Sequence, residues 1–545
     1  MQILAAVMNF QTSAATKIKI ERLSENSLEE AAKLHLASFN DVPYNSGLSF
    51  EAAFKDLKQK FENGFKEYCL VLRKNKSIIA YLITERRDNL IIFGPIGVKK
   101  EFRGKKIGLV LLSKVIHDLQ REGFSKFMLR IDKKADYLLG YYGEIGFEKS
   151  KETDKHYYLR LNEKKLFRHE GIRWRKEKHG GLMHYRNRYY YIDDDARLVL
   201  TLNAITKEYA WAAKSDNIEK FNLFLKNRRA EKMENNEMRF PRKMRLEITN
   251  RCNNRCVWCY ASNRYEKEDL SKEEFIKVIK YLADNGVFEI TFSGGEPTLN
   301  KALLELIEYA NNLGLSTHLI TNGTLLSKDA VKKLERTGLK SIQISIEGIE
   351  DQHNKITNNN CFKDCVNGIK NVVNSKISLA TNTTISNLNK NNVYEILQLL
   401  HSLGVKKANF NYCITDKADL KISKEELENV LEQISNFKKD DFKTNWLQPV
   451  ELCYIDIYKY FSKASKCSAC DTSITISANG DLRPCSFSDT VVGNIKKDKL
   501  EGVWSSDFFK KFREKEIMKE NCIGCTKLAK CGGGCKLELL KNYPK

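Results

Sequence analysis

The chain has 545 residues, of which 42% are hydrophobic, and it carries a formal net charge of +22. This length predicts three or four domains. No run of about eighteen apolar residues occurs, so we expect no transmembrane helix. The first ten residues lack the basic leader of a secretory signal, and we expect a cytoplasmic protein. The positive charge suits nucleic acid, an acidic peptide or an acidic electron donor and does not choose among them.

The first third of the chain has the pattern of an α/β domain. Ser27-Leu-Glu-Glu30 predicts a helix start with a capping box. Tyr68–Arg73 and Ser77–Glu85 predict a hairpin, which Leu90–Val98 extends into a sheet. A basic loop that begins at Arg103 then opens an amphipathic helix, and backbone amides at a helix N-terminus can bind an anion.

This loop resembles the pyrophosphate loop of GNAT-type acyltransferases, whose pattern is R-x-x-G-x-G. Arg103 and Gly108 match, and Lys106 stands where the first patterned glycine is expected. Tyr141-Tyr-Gly-Glu-Ile-Gly-Phe147 resembles the family's later Y-x3-G-F element. The resemblance implies a GNAT-like acetyltransferase domain over residues 1–164, with acetyl-CoA at Arg103 and Gly108 and with Tyr142 protonating the departing thiolate. The alternative is a degenerate GNAT fold kept as a docking module.

Residues 165–235 form a small basic segment. We expect three short strands, at Gly171–Lys176, Gly181–Arg186 and Arg188–Asp193. Helices are expected near 194–205 and 218–227. The segment resembles the recognition element of ribosomally synthesised and post-translationally modified peptides (RiPPs), a winged-helix module that binds a leader peptide as an added strand. Its 16 Lys/Arg against 9 Asp/Glu between 165 and 232 favour an acidic leader, although they also suit nucleic acid. A structural spacer is the alternative.

From residue 240 onward, strands and amphipathic helices alternate at regular spacing. The six expected strands are Met244–Thr249, Glu289–Phe292, Leu315–Thr321, Ser341–Ile346, Ile377–Thr384 and Lys407–Tyr412. This alternation predicts a parallel sheet with helical crossovers, a partial (β/α)6 TIM barrel over 240–455. The residues expected at the carboxyl ends of the strands are Asn322, Ser345, Glu347 and Asn382. They are candidate site residues, and turn chemistry is the alternative reading.

Three cysteines follow the first of these strands with the spacing C-x3-C-x2-C: Cys252, Cys256 and Cys259, with Trp258 before the third. Three thiolates can hold three irons of a [4Fe–4S] cluster and leave the fourth iron open to a small molecule. Zinc usually takes four ligands, often from two C-x2-C pairs, and no second pair lies close by. The second strand ends in Ser293-Gly-Gly-Glu-Pro297, where glycines allow close approach and Glu296 can accept hydrogen bonds from an ammonium group.

These motifs resemble those of radical S-adenosylmethionine (SAM) enzymes. The resemblance implies that the three cysteines hold the cluster and that SAM binds at Gly294, Gly295 and Glu296. It also places Trp258, Asn322 and Ser345 at the cofactor. Ser345 is a candidate for the ribose because Ser345-Ile-Glu-Gly348 stands where the family often has Ser-Leu-Asp-Gly.

Seven further cysteines lie in the last ninety residues: Cys467, Cys470, Cys485, Cys522, Cys525, Cys531 and Cys535. Their spacing resembles the SPASM extension of peptide-modifying radical SAM enzymes, here residues 456–545. The resemblance implies one auxiliary [4Fe–4S] cluster on Cys467, Cys470, Cys485 and Cys535. It implies a second on Cys522, Cys525 and Cys531. Disulfides are the alternative, and the expected cytoplasmic location disfavours them.

The family pattern has one more cysteine, whereas none follows Cys535 in this sequence. The second auxiliary cluster could therefore have an open iron, take a ligand from elsewhere, or be absent. Five cysteines have no assignment: Cys69, Cys361, Cys365, Cys413 and Cys453. For each we expect a buried, small apolar residue.

Together these features predict a radical SAM enzyme that abstracts hydrogen from a precursor peptide by a 5′-deoxyadenosyl radical and closes a thioether or carbon–carbon bridge. We expect the GNAT-like domain to acetylate the same peptide. The expected partners are a precursor peptide with its leader and a flavodoxin- or ferredoxin-type electron donor, without a membrane or nucleic acid. The alternatives are an anaerobic sulfatase-maturating type of enzyme, an elongator-type tRNA-modifying enzyme, and a non-catalytic iron–sulfur protein.

Overall fold

The computed structural model describes residues 18–40, 47–74, 77–103, 107–143, 145–162, 167–169, 172–176, 181–185, 188–192, 238, 240–264, 267–415, 417–463, 465–513 and 518–537. The chain divides into two compact units, residues 1–232 and 233–545. Within the described part, no helix is both long and apolar enough to span a membrane.

The first unit is built on a seven-stranded sheet. Its strands are β1 (Ile18–Arg22), β2 (Leu70–Lys74), β3 (Ser77–Arg87), β4 (Leu90–Val98), β5 (Lys126–Asp132), β6 (Phe147–Glu152) and β7 (His156–Leu161). Their order is β1-β2-β3-β4-β5-β7-β6, and only β4 and β5 pair in parallel. The helices are α1 (Leu28–Phe39), α2 (Phe50–Glu62), α3 (Ile107–Arg121) and α4 (Leu138–Gly143). One apolar core includes α1 and α2, and a second includes α3, so the helices cover both faces of the sheet.

The predicted capping box at Ser27 is wrong. Helix α1 begins at Leu28 after a short 3-10 turn, and the Ser27 side chain makes no capping hydrogen bond. Glu30, expected to complete the box, instead accepts hydrogen bonds from the Arg73 side chain (2.7 Å) and the Ile78 backbone N–H (2.6 Å). Glu30 therefore fastens α1 to the β2–β3 hairpin.

A separate antiparallel sheet follows in the order β11-β10-β9-β8. Its strands are β8 (Phe167–His169), β9 (Ile172–Lys176), β10 (Gly181–Tyr185) and β11 (Arg188–Ile192). The three strands expected from the sequence are confirmed, and β8 is an addition. The helices expected near 194–205 and 218–227 lie outside the described residues, so the winged-helix fold stays a prediction.

The second unit contains one ten-stranded sheet in the order β18-β17-β16-β15-β14-β13-β12-β19-β20-β21. The strands are β12 (Lys243–Glu247), β13 (Glu289–Ser293), β14 (Ser316–Thr321), β15 (Ser341–Ser345), β16 (Ser378–Ile385), β17 (Lys407–Tyr412), β18 (Lys443–Trp446), β19 (Ser473–Ile476), β20 (Asp481–Arg483) and β21 (Gly493–Asn494). The six predicted barrel strands are confirmed as β12 to β17, all parallel. Strand β18 extends the sheet at one edge, and β19 pairs in parallel with β12 at the other.

Helices connect the parallel strands and cover one face of this sheet. They are α5 (Lys272–Asp284), α6 (Leu303–Asn312), α7 (Lys328–Arg336), α8 (Glu350–Thr357), α9 (Phe362–Val373), α10 (Val393–Ser402) and α11 (Lys424–Asn436). After the barrel come α12 (Leu500–Trp504), α13 (Asp507–Arg513) and α14 (Leu528–Cys531). Alternate strand residues such as Ile342 and Ile344 are buried, whereas their neighbours such as Gln343 and Ser345 are partly exposed. The sheet thus turns a polar face away from its helices, as a partial barrel requires.

Candidate functional site

The three cysteines of the C-x3-C-x2-C motif lie on the loop that follows β12. Backbone hydrogen bonds fasten this loop to the end of α8, from Arg255 N–H to Thr357 O (3.0 Å) and from Val257 N–H to Ile356 O (2.9 Å). The motif therefore sits at the carboxyl edge of the parallel sheet, where this architecture places its working residues.

Asn322, predicted to be near the cofactor, contacts this loop directly. Its side-chain amide donates to the Asn253 side-chain oxygen (2.8 Å), inside the cysteine motif. Its own oxygen accepts from the backbone N–H of Thr324 (3.1 Å). The structure thus gives Asn322 a positioning contact with the cysteine loop, and a contact with a cofactor stays a prediction.

The three thiols lie close enough to act on one another electrostatically. Burial raises the pKa of Cys252 to about 11, and Glu296 and Cys259 raise it further. Burial also raises the pKa of Cys256, as do Glu347, Cys259 and Cys252. All three cysteines are partly exposed. The structure therefore brings these three thiols together, and their role as cluster ligands stays a prediction.

This donor set fits a [4Fe–4S] cluster better than a single ion. Among the described residues, no three His, Cys, Asp or Glu side chains are arranged to hold one metal ion. In a cluster each thiolate binds a different iron, so the thiols need not converge on one point. Iron binds the thiolate form, so cluster binding would also remove the protons from the three thiols.

The Gly294-Gly295-Glu296 turn packs against the cysteine loop. The Gly295 N–H donates to Thr249 O and the Glu296 N–H to Arg251 O, both at 2.8 Å. A Cβ at Gly294 would lie 2.4 Å from Thr249 O, and one at Gly295 would lie 2.3 Å from Arg251 O. Glycines are needed here because the two backbones touch. This contact is a second reason for glycine, beside the close approach of a ligand that the sequence predicts.

Glu296 is fully buried, and its carboxylate receives four hydrogen bonds from the described residues. Oε1 accepts from the backbone and hydroxyl of Thr298 and from the Thr321 hydroxyl, and Oε2 accepts from Asn322 N–H (2.8 Å). Burial raises the pKa of Glu296, and these hydrogen bonds oppose the shift. The hydrogen bonds fix the carboxylate beside the cysteine loop, and its contact with a ligand ammonium stays a prediction.

A second buried polar atom beside this turn fits a bound ligand. The Ser293 hydroxyl, at the end of β13, is buried and has no hydrogen-bond partner among the described residues. Such an atom costs free energy unless something pairs with it. The residues at this edge therefore fit a polar cofactor such as SAM.

Ser345 and Glu347 follow the end of β15. Ser345 is partly exposed, and its carbonyl accepts a weak hydrogen bond from the Cys365 thiol (3.5 Å). Burial raises the pKa of Glu347 to about 8, although the carboxyl accepts a hydrogen bond from Thr384 N–H. The Glu347 N–H donates to the ring of His353 (3.1 Å), a buried partner that the sequence did not single out. Trp258 is partly exposed beside Cys259, and its role stays a prediction.

The cysteines of the C-terminal segment fall into two groups. The pKa of Cys470 is raised by burial and by Cys467 and Cys485. The pKa of Cys535 is raised to about 12 by burial, with further contributions from Cys467 and Cys485. These four are the predicted ligands of the first auxiliary cluster, and the structure brings them together.

The second group contains one unexpected member. Burial raises the pKa of Cys522, and Cys531, Cys453 and Cys525 raise it further. Cys453 is exposed, so the expectation of a buried apolar residue is wrong there. Cys69, Cys361, Cys365 and Cys413 are buried, as expected.

In the first unit, the residues expected to bind coenzyme A lie around the start of α3. The Arg103 side chain donates to the carbonyls of Val98 (3.0 Å) and Ala37 (3.4 Å). Residues 104–106, which include Lys106, lie outside the described part. A Cβ at Gly108 would lie 3.3 Å from the hydroxyl of Tyr141. The structure thus places the hydroxyl of Tyr141 beside this helix start.

Tyr142, the predicted catalytic acid, is 8% exposed and belongs to the apolar core. Its ring meets the rings of Tyr141 and Phe147 edge to face, at centroid distances of 5.2 and 6.5 Å. Beside it, β4 pairs with β5 only over Leu90–Phe93, although β4 continues to Val98. The two strands therefore separate beyond Phe93.

Comparisons with known proteins agree with the predicted domains. The Radical SAM superfamily matches residues 246–401, an iron–sulfur cluster-binding SPASM domain matches 467–526, and the acetyltransferase (GNAT) family matches 30–147. Each match lies inside the corresponding predicted domain, and the exact boundaries stay predictions.

Two relatives illustrate the sequence similarity. A PqqA peptide cyclase of Rhizobium meliloti is 26% identical over 324 residues, which cover 55% of this chain and 83% of the relative. A probable GTP 3′,8-cyclase of Saccharolobus islandicus is 28% identical over 282 residues, which cover 48% of this chain and 88% of the relative.

Among solved structures, Streptococcus suis SuiB bound to its precursor peptide SuiA matches with a TM-score of 0.54 and 19% identity. The match covers 69% of this chain and 97% of SuiB. SuiB bound to S-adenosylmethionine gives a TM-score of 0.53 and 18% identity. At these identities the likeness shows a shared fold.

Proposed function

We propose that this member of the radical SAM superfamily, which also carries SPASM and GNAT domains, modifies a ribosomally made precursor peptide. The observation that carries the proposal is the joining of two sulfur-ligand regions on one sheet. The loop with Cys252, Cys256 and Cys259 follows β12, and the segment with Cys470 leads into β19, which pairs with β12.

The residues around the cysteine loop would hold the cofactors. Cys252, Cys256 and Cys259 would bind the cluster, while Glu296 would receive the SAM ammonium. When bound, the cluster and SAM supply the radical that removes hydrogen from the substrate. The chain's part is to hold the substrate carbon beside the cofactor and to exclude water.

The polar face of the barrel suits a peptide. Asn382 donates to Asn411 (2.9 Å), and Asn445 donates to Asn409 (3.2 Å). Carboxamides both donate and accept hydrogen bonds, as a peptide backbone does. Three of these four carboxamides are partly exposed, whereas Asn409 is buried. They therefore favour an extended peptide, and SuiB, which shares the fold, is seen bound to a precursor peptide.

The SPASM cysteines would hold auxiliary clusters that accept an electron from the substrate radical as a thioether or carbon–carbon bridge closes. Residues 165–235 would bind the leader, and the four-stranded sheet β8–β11 offers an edge for an added strand. A flavodoxin- or ferredoxin-type protein would supply electrons.

The GNAT domain would transfer an acetyl group from acetyl-CoA to the same peptide. The divergence of β4 from β5 beside Gly108 supports this part of the proposal. Tyr142 would protonate the leaving thiolate.

The decisive experiment uses anaerobically reconstituted full-length enzyme with SAM and dithionite. We expect 5′-deoxyadenosine from the wild type and from the Cys69→Ala control, and none from Cys256→Ala. Mass spectrometry of a co-expressed candidate precursor should then show loss of a hydrogen pair, gain of an acetyl group, or both. Absence of 5′-deoxyadenosine from reconstituted wild-type enzyme would refute the proposal.

A further inference from the structure

We propose that Cys453 is the fourth protein ligand of the second auxiliary cluster, alongside Cys522, Cys525 and Cys531. The inference rests on the proposed auxiliary clusters and names a ligand that lies upstream of the whole SPASM cysteine pattern. Three thiolates alone would leave one iron of this cluster without cysteine ligation.

Cys453 lies in a tight turn between β18 and the SPASM cysteines. The turn is closed by hydrogen bonds from the backbone N–H groups of Tyr454 (2.9 Å) and Ile455 (3.0 Å) to Glu451 O. Its thiol is exposed, unlike those of the other four cysteines outside the two motifs. An exposed free thiol has no packing role, so its position at the surface of a turn calls for another explanation.

The turn is fastened to the cysteine segment at the adjacent residue. The Leu452 N–H donates to the sulfur of Cys531 (3.4 Å), one of the predicted ligands. Backbone N–H groups commonly hydrogen-bond to cluster sulfurs, where they tune the reduction potential. The backbone thus contacts one of the predicted cluster ligands at Leu452, the residue before Cys453.

Two further contacts hold the turn in this place. Glu451 forms an ion pair with Lys519 (2.9 Å), three residues before Cys522. A Cβ at Gly534 would lie 2.5 Å from the Glu451 side chain, so a glycine there lets the turn approach. Gly534 has φ +69, a conformation that also favours glycine.

The other unassigned cysteine near the SPASM segment in the sequence, Cys413, lies in a different place. It is buried directly after the end of β17, and its N–H donates to Ile385 O (2.7 Å) within the barrel.

Four cysteine ligands would close the cluster. A closed cluster offers no iron to a substrate thiolate, so its function would be electron transfer. A complete set of four ligands excludes the open iron that the cysteine spacing alone allowed.

The test needs a background in which no other cluster has an open iron. We therefore place Cys453→Ala in a full-length chain that also carries Cys252→Ala, Cys256→Ala and Cys259→Ala. After anaerobic reconstitution, the background should retain about eight irons per chain, from two clusters of four, and should give no [3Fe–4S] EPR signal after brief oxidation.

Adding Cys453→Ala should produce that EPR signal on oxidation or lower the iron content to about four per chain. Adding Cys453→Ser, whose oxygen can still bind iron, should keep the iron and shift the reduction potential. The matched control Cys413→Ala should behave like the background. An iron content, EPR spectrum and potential unchanged by both Cys453 substitutions would overturn the inference.

A background that holds only about four irons would also overturn it, because the second cluster would then be absent. That result is distinct from failure of the proposed function, which is judged by 5′-deoxyadenosine production in the chain with its three motif cysteines intact.

Discussion

The strongest structural prediction concerns Arg264, which joins the radical SAM core to the SPASM segment. It is 2% exposed, and its Nη2 donates to the carbonyls of Ser486 and Ser488, both at 3.1 Å. Its Nη1 lies 3.5 Å from the carboxylate of Glu247, which is 3% exposed. Burial raises the pKa of Glu247, and Arg264 is the largest influence that lowers it.

We expect Arg264→Met to lower the free energy of unfolding of the second unit by about 3–5 kcal/mol, the range for removing one partner of a buried ion pair. Three charged hydrogen bonds are lost, the third to the carboxylate of Asp489 (3.1 Å), at about 1.5–3 kcal/mol each, and the removed desolvation of the guanidinium offsets part of this loss. The double variant Arg264→Met/Glu247→Gln should recover about 2 kcal/mol, since it also removes a buried carboxylate that has lost its largest stabilising influence.

The assay is an anaerobic urea titration of the full chain followed by the cluster absorbance, because the predicted iron ligands all lie in the second unit. Lys267→Met is the matched control. It removes a more exposed ion pair with Asp481 (3.4 Å), for which about 0–1 kcal/mol is expected. If Arg264→Met and Lys267→Met lower the free energy of unfolding by amounts that agree within about 1 kcal/mol, the proposed role of Arg264 in joining the two segments is refuted.

Three further predictions concern the active sites. Glu296→Gln should abolish the change that SAM produces in the EPR spectrum of the reduced cluster while keeping its iron. The control Glu289→Gln, which removes an ion pair with Lys243 (2.8 Å), should leave that change intact. An unaltered response in Glu296→Gln would contradict the SAM contact. Tyr142→Phe should slow release of coenzyme A from acetyl-CoA by roughly 10²-fold, and a larger loss in Tyr141→Phe would assign the acid to the hydroxyl beside Gly108. Because the folded-state pKa of Glu347 is raised to about 8, this group favours the folded state at low pH, and its contribution is lost as the pH rises toward 8. Glu347→Gln should therefore flatten the fall in stability between pH 6 and 8, a slope of at most about 1.4 kcal/mol per pH unit, and an unchanged slope would refute this reading.

The barrel was predictable because its strands carry regular apolar alternation and helices separate them. Strands β18 and β19 were missed, since Lys443–Trp446 has no such alternation and Ser473–Ile476 is only four residues long. Strand β19 owes its place to pairing with β12, a partner far away in the sequence. Long-range pairing of this kind leaves no local signal in either strand.

The same limit explains the errors in local chemistry. Glu30 has the right spacing for a capping box, but Arg73 and Ile78, which are distant in the sequence, bind its carboxylate instead. Cys453 looks like an isolated cysteine until the fold brings its turn to Cys531. The cysteine spacing located the candidate clusters, whereas only the tertiary contacts could suggest a complete ligand set.

The pairing of β12 with β19 also constrains how the candidate clusters can cooperate. The cysteine loop begins beyond the carboxyl end of β12, whereas Cys470 lies before the amino end of β19. Because the two strands run parallel over four paired residues, roughly 10–13 Å of sheet separates these ends. A single substrate atom cannot contact both regions at once. Cooperation between clusters at these two regions would therefore require an electron to travel through the barrel. The rigid sheet would keep the length of that path constant while a substrate is bound and released.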